Sequence, residues 1–262
     1  MRTRARGCYR IGSRLRLSRC NGGTINSLVR QPFDDSEHDN RWNVATYILV
    51  PGGWHGGWYF RGFADALEAH GHRAYALTLT GLGERQHLLR TEVNLDTHVH
   101  DVVELLEMET LSEVILLGHS YAGMVLSGIL DLVPDRIAAA IYVDAFVPGD
   151  GQSCFGLAND LHRKLFLNTK DGFSVLPPPR LVDARVTPHP LATLLQPLHL
   201  EKPPPQVRRG FVYLSGWPET PFAPTYERLR SSPDWRTYDL PVGHNVIAAA
   251  FDELLEITLQ FA

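Results

Sequence analysis

Cysteine is scarce in this chain of 262 residues: Cys8, Cys20 and Cys154 are the whole set. An odd number at wide spacing gives neither a disulfide framework nor a zinc-ligand pattern, which fits a reducing, cytoplasmic setting. Long apolar runs are missing too. Val114–Leu117 and Ile137–Val143 are among the longest, far short of the roughly 20 residues a membrane span needs. Nor is there a surplus of positive charge. The formal net charge is -4, and no nucleic-acid partner is expected. The glycine-rich stretch Pro51-Gly-Gly-Trp54 matches neither a dinucleotide fingerprint nor a phosphate-binding loop with its lysine. No metal and no cofactor are expected.

What is present is ordinary globular material, 44% hydrophobic and 21% charged, enough for one large domain with a substantial core. Charge is unevenly spread. Residues 1–30 hold eight arginines and no acid, which leaves 17 basic against 29 acidic residues elsewhere. This opening segment has no apolar core of a secretory signal. Residues 1–43 are expected to be a basic, disordered extension, and residues 44–262 a single domain.

From Val44 the text alternates. Val44–Val50 reads as a buried strand ending at Pro51-Gly-Gly53, and residues 59–70 have helical spacing stopped by Gly71. Ala74–Leu79 is a second strand, and Asp96 or Thr97 is the expected cap of a helix carrying Val99, Val102, Val103 and Leu106. Val114–Leu117, a turn, the apolar helix Met124–Val133 and the strand Ile137–Val143 follow. Alternating strands and helices, with strands apolar on both sides, predict an α/β fold: a mostly parallel sheet covered by helices on both faces. Residues 148–209 break this rhythm with many prolines, including Pro177–Pro179 and Pro203–Pro205. They read as a small cap insertion. Strands resume at Phe211–Leu214 and Trp235–Leu240, and Phe251–Phe261 is a closing helix.

The chemistry concentrates at Gly118-His-Ser-Tyr-Ala-Gly123, between a buried strand and a helix. A serine on such a sharp turn stands clear of the sheet as a nucleophile elbow. The helix after it offers free N–H groups, so the Tyr121 N–H would face an oxyanion formed at a carbonyl held by Ser120. A serine hydroxyl needs a base. His244 follows the last strand and precedes the last helix, where this order of elements puts it. The side chain of His119 is expected to point away from the site, and His98 and His100 are expected at the surface. For the carboxylate that orients the base there are two candidates. Asp144 ends an apolar strand, at the edge where ligands bind. Glu219 follows the next strand on a Pro-containing loop. Asp144 is favoured. Gly53, in the loop after the first strand, is the second oxyanion-hole candidate.

Several stretches together resemble one family: Gly-Gly-Trp-His-Gly-Gly-Trp at 52–58, Thr80-Gly-Leu-Gly-Glu-Arg85, Asn94-Leu-Asp-Thr-His98, Gly118–Met124, Asp144-Ala-Phe-Val-Pro148 and Val182–Pro190. They resemble the α/β-hydrolase superfamily, in its branch of bacterial carboxylesterases and pyrethroid hydrolases. That branch is related to plant methyl-salicylate esterases and hydroxynitrile lyases. The likeness covers about 44–262. It implies Ser120 as nucleophile, His244 as base, and Gly53 and Tyr121 as oxyanion donors. Asp144 matches the acid position of haloalkane dehalogenases, and Glu219 the position where the plant enzymes carry aspartate. The chain departs from the pattern at Pro51, where the family has histidine, and at Ala122, where it has glycine. Gly52 and Asn245 stand where hydroxynitrile lyases carry threonine and lysine, which argues against cyanohydrin cleavage.

The expected activity is hydrolysis of a small hydrophobic carboxylic ester through an acyl-enzyme. The cap's Phe155, Leu157, Leu161, Leu165, Phe166, Phe173 and Leu176 are the candidate walls of an acyl or aryl pocket. The same triad would serve a thioesterase, lactonase or cyclase on a biosynthetic intermediate, because sites and not folds decide function. A non-catalytic ligand receptor that kept the pocket is a third reading. The sequence is compatible with a homodimer.

Overall fold

Strand β1 (Thr46–Val50) is apolar on both sides, and the fold is organised around it. In the computed structural model, residues 44–202 and 206–262 are described, and the expectations for 1–43 and for Pro203–Pro205 lie outside them. From β1 the chain runs through α1 (Arg61–Ala69) to β2 (Arg73–Ala76), then α2 (Leu95–Met108), β3 (Val114–His119), α3 (Ala122–Leu132) and β4 (Ile137–Val143). A long excursion follows, with α4 (Cys154–Leu157), α5 (Asp160–Phe166), the short antiparallel pair β5 (Ser174–Val175) and β6 (His189–Pro190), and α6 (Leu191–Leu195). The chain then returns to the sheet as β7 (Arg208–Leu214), α7 (Ala223–Arg230), β8 (Trp235–Leu240), α8 (Val246–Ala249) and α9 (Phe251–Leu259).

The main sheet has the order β2-β1-β3-β4-β7-β8, and every pair in it is parallel. Side chains of a strand alternate between faces, and here both faces are filled. Ile48, Val50 and Leu116 pack under α2 and α3 with Val99, Val102, Leu106 and Met124. Tyr47, Leu49, Ile115 and Leu117 pack under α1 and α9 with Phe63, Leu67, Leu254 and Ile257. Each such fully buried aliphatic side chain contributes roughly 1.5–3 kcal/mol, so the two-sided pattern sets the register. At α2 the N-cap is Asn94 rather than Asp96 or Thr97. Its side chain accepts from the Thr97 N–H while the Thr97 hydroxyl caps the Asn94 N–H. A cap must lie outside the first turn, and the apolar periodicity does not say how far outside.

Strand order reverses at β1. The chain goes one way to β2 and the other way to β3. The loops leaving β1 and β3 therefore diverge at the carboxyl edge of the sheet and leave a crevice between them, the usual place for a ligand in an open parallel sheet. The excursion between β4 and β7 lies against it, because residues from both line one cavity.

Candidate active site

The turn after β3 is tight because the chain must pass from strand to helix within two residues. Ser120 takes it with φ +58, left-handed backbone that costs a non-glycine residue about 1–3 kcal/mol. Surrounding bonds hold it there. Its N–H donates to the Val143 carbonyl at 3.1 Å, and its own carbonyl accepts from Gly123 at 3.2 Å and Phe146 at 3.1 Å. Close packing explains Gly118: a Cβ there would come within 2.7 Å of Leu126 Cδ1 and 3.2 Å of Ala122 Cβ. Gly52 is under the same constraint from the neighbouring loop. A Cβ at 52 would meet Ser120 Cβ at 3.0 Å and His119 Nδ1 at 3.1 Å.

Asp144 is the first residue past β4 and also takes positive φ, +43. Its side chain is fully buried. One carboxylate oxygen, Oδ2, accepts from His244 Nδ1 at 2.6 Å, and the other accepts from the Leu214 N–H at 3.3 Å. With Nδ1 donating to a carboxylate, the proton-free nitrogen of His244 is Nε2. Glu219 does not join this pair. Its side chain is exposed and its backbone carbonyl accepts from Asn159. Of the two carboxylates, Asp144 is the one that meets His244.

Ser120 and His244 line the same cavity, together with Gly52, Gly53 and Tyr121. No hydrogen bond joins the Ser120 hydroxyl to His244 in this structure, a looseness common before substrate closes the site. Burial holds the His244 imidazole below its ordinary range, and the Arg180 guanidinium and His162 push the same way. Burial pushes the Asp144 carboxyl up, against the Leu214 N–H. The ring of His244 is thus neutral near pH 7 and free to accept a proton. Neither the Gly53 nor the Tyr121 N–H donates to any group among the described residues. The next N–H, of Trp54, is taken by His189 Nδ1 at 3.3 Å. The Gly53 and Tyr121 N–H groups are thus both unengaged where their loops line the cavity.

The cavity is narrow and open to solvent. Its walls are mostly aromatic and apolar, with Trp54, Phe146, Phe166, Leu194, Trp217 and Phe222 among them. Of the seven cap residues expected to line a pocket, Leu165 and Phe166 do so. Phe155 and Leu157 instead pack, half-buried, against the larger core cluster, and Leu161 is 39% exposed.

Two histidine expectations are overturned. His119 points toward the site and not away from it. Its Nε2 donates to the His244 carbonyl at 2.9 Å, and its ring lies 4.4 Å from the His244 ring and stacks on Tyr59. The left-handed Ser120 turns the chain after His119, not before it, so His119 keeps the direction of a strand residue. His98 is not at the surface. It is fully buried, accepting from the Tyr121 hydroxyl at 2.9 Å and donating to the Thr80 carbonyl at 2.8 Å. His100, two residues on and so on another face, is exposed. His55 and His189 also belong to the surroundings of the site. His55 carries no positional signal, and His189 stands out only by lying within the stretch 182–190.

With this geometry in hand, comparison with known proteins gives a consistent result. The profile of the Alpha/beta hydrolase family matches residues 47–257. A carbendazim hydrolyzing esterase of Nocardioides sp. (strain SG-4G) is 36% identical over 236 residues, covering 81% of this chain and 98% of that protein. Salicylic acid-binding protein 2 of Nicotiana tabacum is 36% identical over 103 residues, 39% of this chain and 40% of its own. Among solved structures, an extracellular alpha/beta-hydrolase from a Paenibacillus species superposes with a TM-score of 0.71 at 22% identity, over 83% of this chain and 99% of that one. A pyrethroid hydrolase from Sphingobium faniae JZ-2 gives 0.63 at 19% identity, over 83% and 97%.

Proposed function

The chain belongs to the α/β-hydrolase family, and we propose that it is a carboxylesterase-like enzyme that cleaves small hydrophobic esters with Ser120 as nucleophile, His244 as base and Asp144 as the orienting acid. The observation that carries the reading is the 2.6 Å contact of His244 Nδ1 with buried Asp144, in the wall of the cavity that also exposes Ser120 on its strained turn.

The steps follow from the geometry. His244 Nε2 takes the hydroxyl proton as Ser120 Oγ attacks the ester carbonyl. Negative charge develops on the carbonyl oxygen. The Gly53 and Tyr121 N–H groups and the N-terminal end of α3 stabilise it. Asp144 holds the ring in the tautomer with Nε2 free and stabilises the imidazolium that forms. The imidazolium then protonates the leaving alcohol, and an acyl-Ser120 ester remains. Water gives its proton to His244, attacks the acyl carbon and releases the acid.

Aromatic walls favour an apolar acyl or aryl group. Relatives named for carbendazim hydrolysis and as methylesterases support a small alcohol as the leaving group. Gly52 leaves no side chain over Ser120, and Asn245 supplies no cation beside His244, which supports hydrolysis over cyanohydrin cleavage. No helix among the described residues is long and apolar enough to cross a membrane. The cysteine pattern supports a cytoplasmic setting.

A fluorophosphonate probe and p-nitrophenyl acetate test the reading. Wild type should be labelled and should turn over the ester, and Ser120→Ala should do neither. Equal labelling of wild type and Ser120→Ala would overturn it.

A further inference from the structure

The peptide unit joining Gly53 to Trp54 is held at both ends by imidazoles. Its oxygen, on Gly53, accepts from His55 Nδ1 at 2.7 Å. Its N–H, on Trp54, donates to His189 Nδ1 at 3.3 Å. Trp54 sits at φ +67, a conformation that a bulky residue does not hold unaided. The cap insertion supplies the rest of the restraint. Trp54 Nε1 donates to the Val175 carbonyl at 3.1 Å, and the Trp54 carbonyl accepts from the Thr187 N–H at 3.0 Å. Every polar group of Trp54 is thus bonded to residues 175–189, which lie in the cap.

His189 is built for this task. It is fully buried. To accept from Trp54 at Nδ1 it must carry its proton on Nε2, and that proton has a fixed destination, Thr193 Oγ1 at 2.7 Å. The Thr193 hydroxyl in turn donates to the Pro190 carbonyl at 2.7 Å. The tautomer is set by a closed chain of donors and acceptors. The same ring packs edge-on against Tyr121, with centroids 4.8 Å apart. One imidazole therefore touches both loops that carry the Gly53 and Tyr121 N–H groups.

We propose that His189, acting with His55, is a positioning residue: the two clamp the Gly53–Trp54 peptide so that the Gly53 N–H points at the developing oxyanion. The inference rests on the ester-hydrolase reading above and adds a role for the cap beyond covering substrate. The cap holds the oxyanion loop in shape from outside. The Gly53 N–H lies in the preceding peptide, Gly52–Gly53, so the clamp acts on it through the Gly53 Cα: a loop released at Trp54 can shift, and the Gly53 N–H is displaced with it. Ground-state binding through the aromatic walls does not depend on that orientation, whereas transition-state stabilisation does.

The experiment compares His189→Ala with His189→Asn, whose side-chain oxygen can replace Nδ1 as acceptor. Deleting an oxyanion donor outright costs roughly 10²–10³ in kcat, so misaiming one should cost about ten- to fifty-fold. His189→Ala is expected to lose kcat by that factor with KM moved less than about threefold, and His189→Asn to recover most of it. A trifluoromethyl ketone, which forms an oxyanion adduct with the serine, should bind His189→Ala weaker by a similar factor. Unchanged kcat in His189→Ala, an equal loss in both variants, or a loss confined to KM would overturn the proposal. Should His189→Ala fail to fold, Thr193→Val decides: it removes the partner of His189 Nε2, and a lowered kcat at constant KM supports the clamp while an unchanged kcat sinks it. Fluorophosphonate labelling of wild type separates the two levels. A wild type that neither labels nor turns over ester defeats the hydrolase reading and the clamp with it. A wild type that does both, beside an unaffected His189→Ala, defeats the clamp alone.

Discussion

Asp144 and His244 are 100 residues apart in the chain and 2.6 Å apart in space, carboxylate Oδ2 to imidazole Nδ1. The contact closes because β4 and β7 are neighbours. Leu214, ending β7, donates to the other carboxylate oxygen, and the loop after β8 brings the histidine over the same sheet edge. Asp144→Asn keeps the shape but offers the histidine an amide that can impose the wrong tautomer. The expected loss in kcat is on the order of 10³–10⁴-fold with the fold intact. Glu219→Gln should change kcat/KM by less than about twofold. Steady-state kinetics on an aryl ester reads both, and a large loss in Glu219→Gln would reassign the acid.

The pH profile has a defined sign. Burial, Arg180 and His162 each disfavour the His244 imidazolium, so its folded-state pKa lies below the ordinary 6.5. The acid limb of kcat/KM is expected below that value. Arg180 is exposed and stacks over Trp217 at 5.3 Å. Removing its charge in Arg180→Gln should raise the limb toward 6.5, and added salt should weaken the difference. An acid limb in wild type above 6.5 would contradict the account.

Stability should also depend on pH, through histidines that are buried neutral. Burial lowers His98 to about 4, with the Thr80 carbonyl opposing. A histidine whose pKa is lower folded than unfolded takes up its proton first in the unfolded chain. Its contribution is therefore intact above pH 6.5 and is lost as pH falls from 6.5 toward about 4. Thermal unfolding at pH 7 and pH 5 should show a lower Tm at pH 5. His98→Gln should lessen the drop.

Gly52→Ala tests the crowding at the nucleophile. The added methyl would stand 3.0 Å from Ser120 Cβ and 3.2 Å from the His119 carbonyl, so the loop or the elbow must give by a few tenths of an ångström. Overpacking of this kind costs roughly 1–3 kcal/mol. The variant should lose kcat by about tenfold or more and lower Tm by a few degrees. Wild-type kinetics in Gly52→Ala would show that the contact is slack.

The sequence by itself determined the sheet and its elbow. Strands apolar on both sides require helices on both faces, and a serine between strand and helix with small neighbours reads as a turn because backbone sterics act locally. The turn at Ser120 and the end of β4 at Asp144 were legible for that reason. What the tertiary structure decided was which groups meet. Which carboxylate meets His244, Asp144 after β4 or Glu219 after β7, turned on how far the loop after β8 reaches back along the sheet edge. The burial of His98, the inward turn of His119, and the joint hold of His55 and His189 on one peptide each join segments far apart in the chain. No periodicity or local propensity encodes such a meeting, because its energy comes from hydrogen bonds and packing that exist only once the sheet has assembled and the cap has folded over it.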